Sequence, residues 1–311
     1  MTCQVVIRMR RPLLCLTALA AAVSLGASPL HAQEPVTVSS KIDTEGSVLG
    51  ELIIQRLEAG GVEVEERLQL GATSIVREAL LAGEIDLYPE YTGNGAFFFD
   101  MTDSDVWHDP QAAYETVREL DAENGLTWLT PASANNTWAM SVRGELAREH
   151  ELATLEDLAR YLDEGGEFKF AASAEFVESE QALPAFQQAY GFELDDDQLL
   201  VLSGGNTAST MRAAAQQTSG VNAAMTYGTD GGLKALDLVV LEDTLGVQPV
   251  YQPAPVVRAE VLEAWPEIES LLAPVFEALD LDTLQRLNGD VAVNGRAPAD
   301  VAADFLSSLE E

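Results

Sequence analysis

Between Val36 and Tyr88 the chain switches repeatedly between strand-like and helix-like hydrophobic spacing, and this alternation limits the available folds more than any other feature. Val36-Thr37-Val38 is a short strand candidate. Asp43-Thr44-Glu45-Gly46 then offers N-capping residues for a helix over about 45–59, with Val48, Leu49, Leu52, Ile53 and Leu57 at helical spacing. Gly60-Gly61 stops that helix. A second strand begins at Val62-Glu63-Val64, residues 73–81 read as a helix closed by Gly83, and Ile85-Asp86-Leu87-Tyr88 is a third strand. A β-α-β-α-β run of this kind calls for a mostly parallel sheet covered by helices.

The rhythm returns later. Strands are expected over 137–142, 168–172, 221–227, 236–241 and 250–258, and helices at Thr154-Leu155-Glu156-Asp157, over 182–190 and over 209–217. No internal repeat and no Pro/Gly/Ser linker interrupts the pattern, so the reading is two α/β lobes joined by extended strands. Ligands of such sheets bind beyond the carboxyl ends of the strands, often between domains. The unusual residues collect there: Tyr88-Pro89-Glu90-Tyr91-Thr92-Gly93-Asn94-Gly95, Asn135-Asn136-Thr137-Trp138, Tyr227-Gly228-Thr229-Asp230-Gly231-Gly232 and Tyr251-Gln252-Pro253-Ala254-Pro255.

Catalytic patterns are scarce. His108 and His150 have no His or Cys partner at metal-ligand spacing, and no phosphate loop, dinucleotide fingerprint, calcium loop or nucleophile elbow is present. Gly204-Gly205-Asn206-Thr207 reads as a turn and cap, and Asp195-Asp196-Asp197 as a solvated acidic turn. An enzyme on this scaffold would have to use Glu90, Asp230 or His108 as acid–base groups. Neither a metal nor another cofactor is expected.

The chain carries 51 acidic and 17 basic residues, a formal net charge of −34. Nucleic acid is excluded as a partner, because phosphate contacts need a basic face. So acidic a surface suits high ionic strength, where self-repulsion is screened. The first residues depart from this pattern. Arg8, Arg10 and Arg11 precede an apolar run over 13–23, which leads to Leu30-His31-Ala32. That is the layout of a cleavable secretory signal, with cleavage expected after Ala32, and the run is too short to span a bilayer. Both cysteines, Cys3 and Cys15, fall inside it, and neither sits at a lipoprotein cleavage pattern. The processed protein is expected to be soluble and periplasmic, without disulfides.

The chain resembles the glycine betaine/choline-binding proteins of ABC importers, in their osmoprotectant branch. The resemblance rests on Ser40-Lys41-Ile42-Asp43-Thr44-Glu45, Ile85-Asp86-Leu87-Tyr88-Pro89-Glu90-Tyr91-Thr92-Gly93, Asn135-Asn136-Thr137-Trp138, Tyr227-Gly228-Thr229-Asp230-Gly231 and Tyr251-Gln252-Pro253-Ala254-Pro255-Val256-Val257-Arg258. It implies a bilobal type II periplasmic-binding-protein fold with two crossover strands. Lobe one would comprise residues 33–137 and 250–311, and lobe two 138–249. The partners implied are a small quaternary ammonium ligand and the permease subunits of the importer, with the protein a monomer.

A trimethylammonium group offers no N–H, so aromatic faces hold it by cation–π attraction and dispersion. On the family pattern the cage is Tyr91, Trp138, Tyr227 and Tyr251, with Asn136 beside it. Lys41, Thr92 and Asn94 would serve the carboxylate of a betaine. Tyr88 and Phe97-Phe98-Phe99 read as packing residues. Three departures stand out: a tryptophan at a tyrosine position, Asn136 where relatives often carry aspartate, and Ser179 where relatives often carry arginine. The last implies weak betaine binding.

Overall fold

The computed structural model describes residues 1–2, 34–202 and 207–310. The expected signal segment and Gly204-Gly205-Asn206 therefore lie outside the described residues. Residues from Glu34 onward form one compact unit containing two five-stranded sheets.

The first sheet contains β1 (Val36–Lys41), β2 (Val64–Gly71), β3 (Leu87–Tyr91), β4 (Leu126–Trp128) and β10 (Pro253–Arg258), in the order β2-β1-β3-β10-β4. The second contains β5 (Trp138–Arg143), β6 (Phe170–Ser173), β7 (Leu199–Leu202), β8 (Ala223–Tyr227) and β9 (Leu238–Val240), in the order β7-β6-β8-β5-β9. In each sheet all strands but one run the same way. The reversed strands are β10, antiparallel to β3 and β4, and β5, antiparallel to β8 and β9. The sheets are therefore mixed rather than simply parallel, for a topological reason. Forward strands end at the cleft, so a strand fed by a crossover from the other lobe must begin at the cleft and run away from it.

The inner strands β1, β3 and β6 are buried along their whole length, as expected where helices cover both faces of a sheet. α1 (Thr44–Ala59) starts at Asp43, whose side chain accepts from the Gly46 N–H at 2.7 Å. Its apolar side, Leu49, Leu52, Ile53 and Leu57, packs with Phe276, Leu284, Leu287 and Phe305 of the C-terminal helices. On the other face of that sheet, Tyr88, Trp107, Trp128 and Val256 pack together. Around the second sheet, Met140, Phe170, Phe176, Phe186 and Met225 form one core, and Ala171, Met211, Ala224 and Leu233 another.

α2 (Thr73–Leu81) and the helices Leu183–Tyr190 and Thr207–Ala215 lie close to their expected places. The third strand is displaced from 85–88 to Leu87–Tyr91, because the Asp86 carboxylate accepts the Thr37 N–H at 2.9 Å and stands in for a ladder position. The strand expected over 236–241 shrinks to Leu238–Val240, since Leu236 closes a helical turn, Gly232–Ala235.

The two crossovers run side by side. Thr137 Oγ1 donates to the Pro249 carbonyl at 2.8 Å, the Asn136 N–H to the Tyr251 carbonyl at 3.0 Å, and the Tyr251 N–H to Asn135 Oδ1 at 2.8 Å. Among the described residues no helix is long and apolar enough to cross a membrane.

Candidate functional site

Strand direction brings the four aromatic candidates to the interlobe cleft. Tyr91 ends β3, Tyr227 ends β8, Trp138 begins the reversed β5, and Tyr251 lies just before the reversed β10. Trp138 and Tyr227 are directly opposite in the β5–β8 ladder, their rings stacked at 6.5 Å and 27°. Phe176 meets the indole edge-on at 5.7 Å, and the indole Nε1 is buried without a hydrogen-bond partner. Burial and the neighbouring Tyr227 push the Tyr251 hydroxyl up to about 12, so both rings remain neutral phenols at ordinary pH.

Gly93 explains part of the Tyr-Thr-Gly phrase. A Cβ there would lie 2.6 Å from the Val250 carbonyl and 2.8 Å from the Tyr251 ring. Only glycine allows that ring to rest on the β3 turn.

The expected carboxylate donors are drawn into the protein. Lys41, almost fully buried, forms an ion pair with Glu90, and its ammonium lies 4.4 Å from the Tyr91 ring centroid. Glu90 also accepts from the Tyr88 hydroxyl at 2.7 Å, the Tyr91 N–H at 2.7 Å and Asn94 Nδ2 at 2.6 Å. Thr92 Oγ1 donates to the Val250 carbonyl and accepts from the Gln252 N–H, both at 3.2 Å. Of the three, Lys41 retains two N–H groups, since an ammonium carries three donors. Ser179 caps the short helix Ala174–Glu178 and is half-buried.

Two carboxylates and an amide emerge that sequence reasoning did not place in the site. Glu45 accepts from the Tyr91 hydroxyl at 2.7 Å, from Asn136 Nδ2 at 3.1 Å and from Asn288 Nδ2 at 2.6 Å. Burial raises its carboxyl above the usual range, against the hydrogen bonds that hold it ionised. Glu90 was visible only as a possible acid–base group. Asn288 had no signal at all, and the first-turn position of Glu45 explains itself as helix-dipole compensation. Burial holds the Tyr91 and Tyr227 hydroxyls above their usual range, and the nearby carboxylates add to it, Glu45 and Asp43 at Tyr91 and Asp230, Glu175 and Asp43 at Tyr227. The cleft is thus aromatic and acidic, a field that favours a cation.

The acid–base candidates of the enzyme reading do not assemble. His108 is exposed and contacts the Gly246 carbonyl at 2.8 Å, while Asp230 accepts the Tyr227 N–H at 2.8 Å and the Thr207 hydroxyl at 3.1 Å. Of the residues expected to pack, Tyr88 does so. Phe98 lies 4.3 Å from the Arg77 guanidinium, and Phe97 is exposed. No group of His, Cys, Asp and Glu among the described residues could hold a metal ion.

Comparison with known proteins agrees with this architecture. Residues 34–308 match the family model for the substrate binding domain of ABC-type glycine betaine transport systems. The chain is 58% identical over 287 residues to the glycine betaine-binding protein YehZ of Escherichia coli K12, covering 92% of this chain and 93% of that one. It is 33% identical over 292 residues to a glycine-betaine-binding protein of Pseudomonas aeruginosa, covering 92% and 91%. The solved structure of apo YehZ from Escherichia coli superposes with a TM-score of 0.85 at 57% identity, covering 88% of this chain and 98% of that one. With its two mixed sheets and an aromatic cleft between them, the chain belongs to the family of substrate-binding domains of ABC-type glycine betaine transport systems.

Proposed function

We propose that this chain captures a quaternary ammonium osmolyte, glycine betaine or a close relative, in a cage of Tyr91, Trp138, Tyr227 and Tyr251 flanked by Asn136, and delivers it to the permease of an ABC importer. The observation that supports this reading is that four aromatic residues lie at or beside strand ends of both lobes, with Trp138 and Tyr227 stacked across the β5–β8 ladder and carboxylates nearby. Each ring face contributes about 0.5–2 kcal/mol to holding a cation without N–H donors. The two relatives above are named for binding glycine betaine, which supports the same ligand class. The working protein is a periplasmic monomer freed of residues 1–32, with lobes of 33–137 plus 250–311 and 138–249 that close over the ligand by hinge motion.

The carboxylate end is the weaker half of the site. Lys41, Thr92 and Asn94 would serve it, but Thr92 and Asn94 have internal partners and Lys41 is balanced by Glu90. Arginine would add a planar two-donor fork, and Ser179 supplies none. A charged hydrogen bond is worth about 1.5–3 kcal/mol, or roughly ten- to a hundredfold in affinity. Calorimetry should therefore find weak glycine betaine binding with little discrimination against choline. Ser179→Arg should tighten betaine and leave choline unchanged. Tight betaine binding that Ser179→Arg does not alter would show that other donors already complete the site. Turnover of either ligand would favour an enzyme.

A further inference from the structure

Glu45 lies in the first turn of α1 and is 6% exposed. Helix-dipole compensation needs no such burial, and a buried carboxylate is costly unless it is paired or hydrogen-bonded. No ion pair reaches Glu45 among the described residues, and Lys41 is committed to Glu90. Its compensation comes from hydrogen bonds donated by separate segments: Tyr91 at the end of β3, Asn136 on the first crossover and Asn288 on the helix Leu281–Ala292. Tyr91 and Asn136 belong to the cage. Asn288 also donates to the Thr229 carbonyl at 2.9 Å, two residues beyond Tyr227.

We propose that Glu45 is the positioning residue and counter-charge of the cage, orienting Tyr91 and Asn136 and finding its cationic partner only when a quaternary ammonium enters. The inference rests on the cage reading above. A bound cation favours ionised Glu45, so affinity is highest where the carboxyl is already ionised. Affinity falls as pH drops through its raised pKa. The charged and titratable groups around it are Asp43 at the cap of the same helix, Tyr91 on β3, Lys41 on β1 paired with Glu90, and Asp230 and Glu175 near Tyr227. The helix Leu281–Ala292 presents the uncharged Asn288 and Gln285, and its Asp282 pairs with Lys234. Of these groups Asp230 is also raised by burial, so it is the control.

Tetramethylammonium, a cation without oxygen, is the probe, titrated by calorimetry from pH 7.5 down to about 4.5. Wild-type affinity should fall across that range. Glu45→Gln should bind about tenfold more weakly at pH 7.5, the order of effect of removing one nearby screened charge, and should lose the pH step. Its melting temperature should not fall, because Asn136 Oδ1 is buried without a partner and a flip of that amide presents it to the new N–H group, while the glutamine oxygen keeps accepting from Asn288. Asp230→Asn should keep the step. Wild-type affinity in Glu45→Gln, or a step that survives there and disappears in Asp230→Asn, overturns the proposal and leaves the cage reading intact. Should the variant not fold, a flat wild-type profile overturns it equally. Failure of the wild type to bind tetramethylammonium, choline or glycine betaine removes the cage reading and this inference with it.

Discussion

At the scale of single residues, the cage positions differ in what holds them, and substitutions should separate ring from hydroxyl. A cation–π contact belongs to the ring face, so Tyr251→Phe and Tyr227→Phe should bind almost as the wild type does, while Tyr251→Ala and Trp138→Ala weaken binding without unfolding the protein. Tyr91 should break that pattern. Its hydroxyl donates to buried Glu45, and Tyr91→Phe leaves the carboxylate one donor short, at a cost of about 1–3 kcal/mol. Paired titrations and melting curves check this; equal losses for Phe and Ala at all sites would place the binding in the hydroxyls. The aromatics were legible in the sequence because each adjoins a strand end, where ligands of such sheets bind. Glu45 was not legible as a site residue, since its partner Asn288 lies 243 residues away and only the folded chain brings them together.

Among the elements, the contact between the helix Leu281–Ala292 and the turn after β8 joins the two lobes. Gln285 Nε2 donates to the Gly228 carbonyl at 2.8 Å, and Gly231 lies against the backbone of Asn288 and Gly289. A Cβ on Gly289 would come 2.8 Å from the Gly231 carbonyl, and one on Gly231 would run into Gly289 N. Backbone cannot yield as a flexible side chain does. Gly231→Ala should therefore destabilise by about 1–3 kcal/mol, with a smaller loss for Gly289→Ala, read as shifts in thermal midpoint. An unchanged midpoint for Gly231→Ala would mean that this contact opens freely. Helices with clear caps, such as α1, were readable from local pattern. β4 was missed because three residues, Leu126–Trp128, carry no period. β7 was missed because Leu199–Leu202 is an apolar run at a half-exposed edge, without alternation. The reversal of β5 and β10 comes from the path between lobes, which no local window contains.

For the molecule as a whole, the net charge of −34 dominates, and loss of Arg8, Arg10 and Arg11 with the signal would deepen it. Self-repulsion of that size opposes compaction at low ionic strength, and at about 1 M salt the screening length falls to about 3 Å. The melting temperature should rise from dilute buffer to molar sodium chloride. A flat or falling curve would argue against adaptation to salt.

The path that reverses β10 has a consequence for synthesis. β10 sits between β3 and β4, and the helix Pro298–Ser308 packs on α1. The first lobe therefore cannot complete its sheet until β10 has left the ribosome, nor fully cover α1 until the helix Pro298–Ser308 follows. The second sheet, made from one continuous stretch, has no such wait. Early in translation the N-terminal third remains an unfinished half-sheet, lacking the long-range pairings that make such sheets slow to form. The order of its own strands thereby keeps the first lobe open for most of its synthesis.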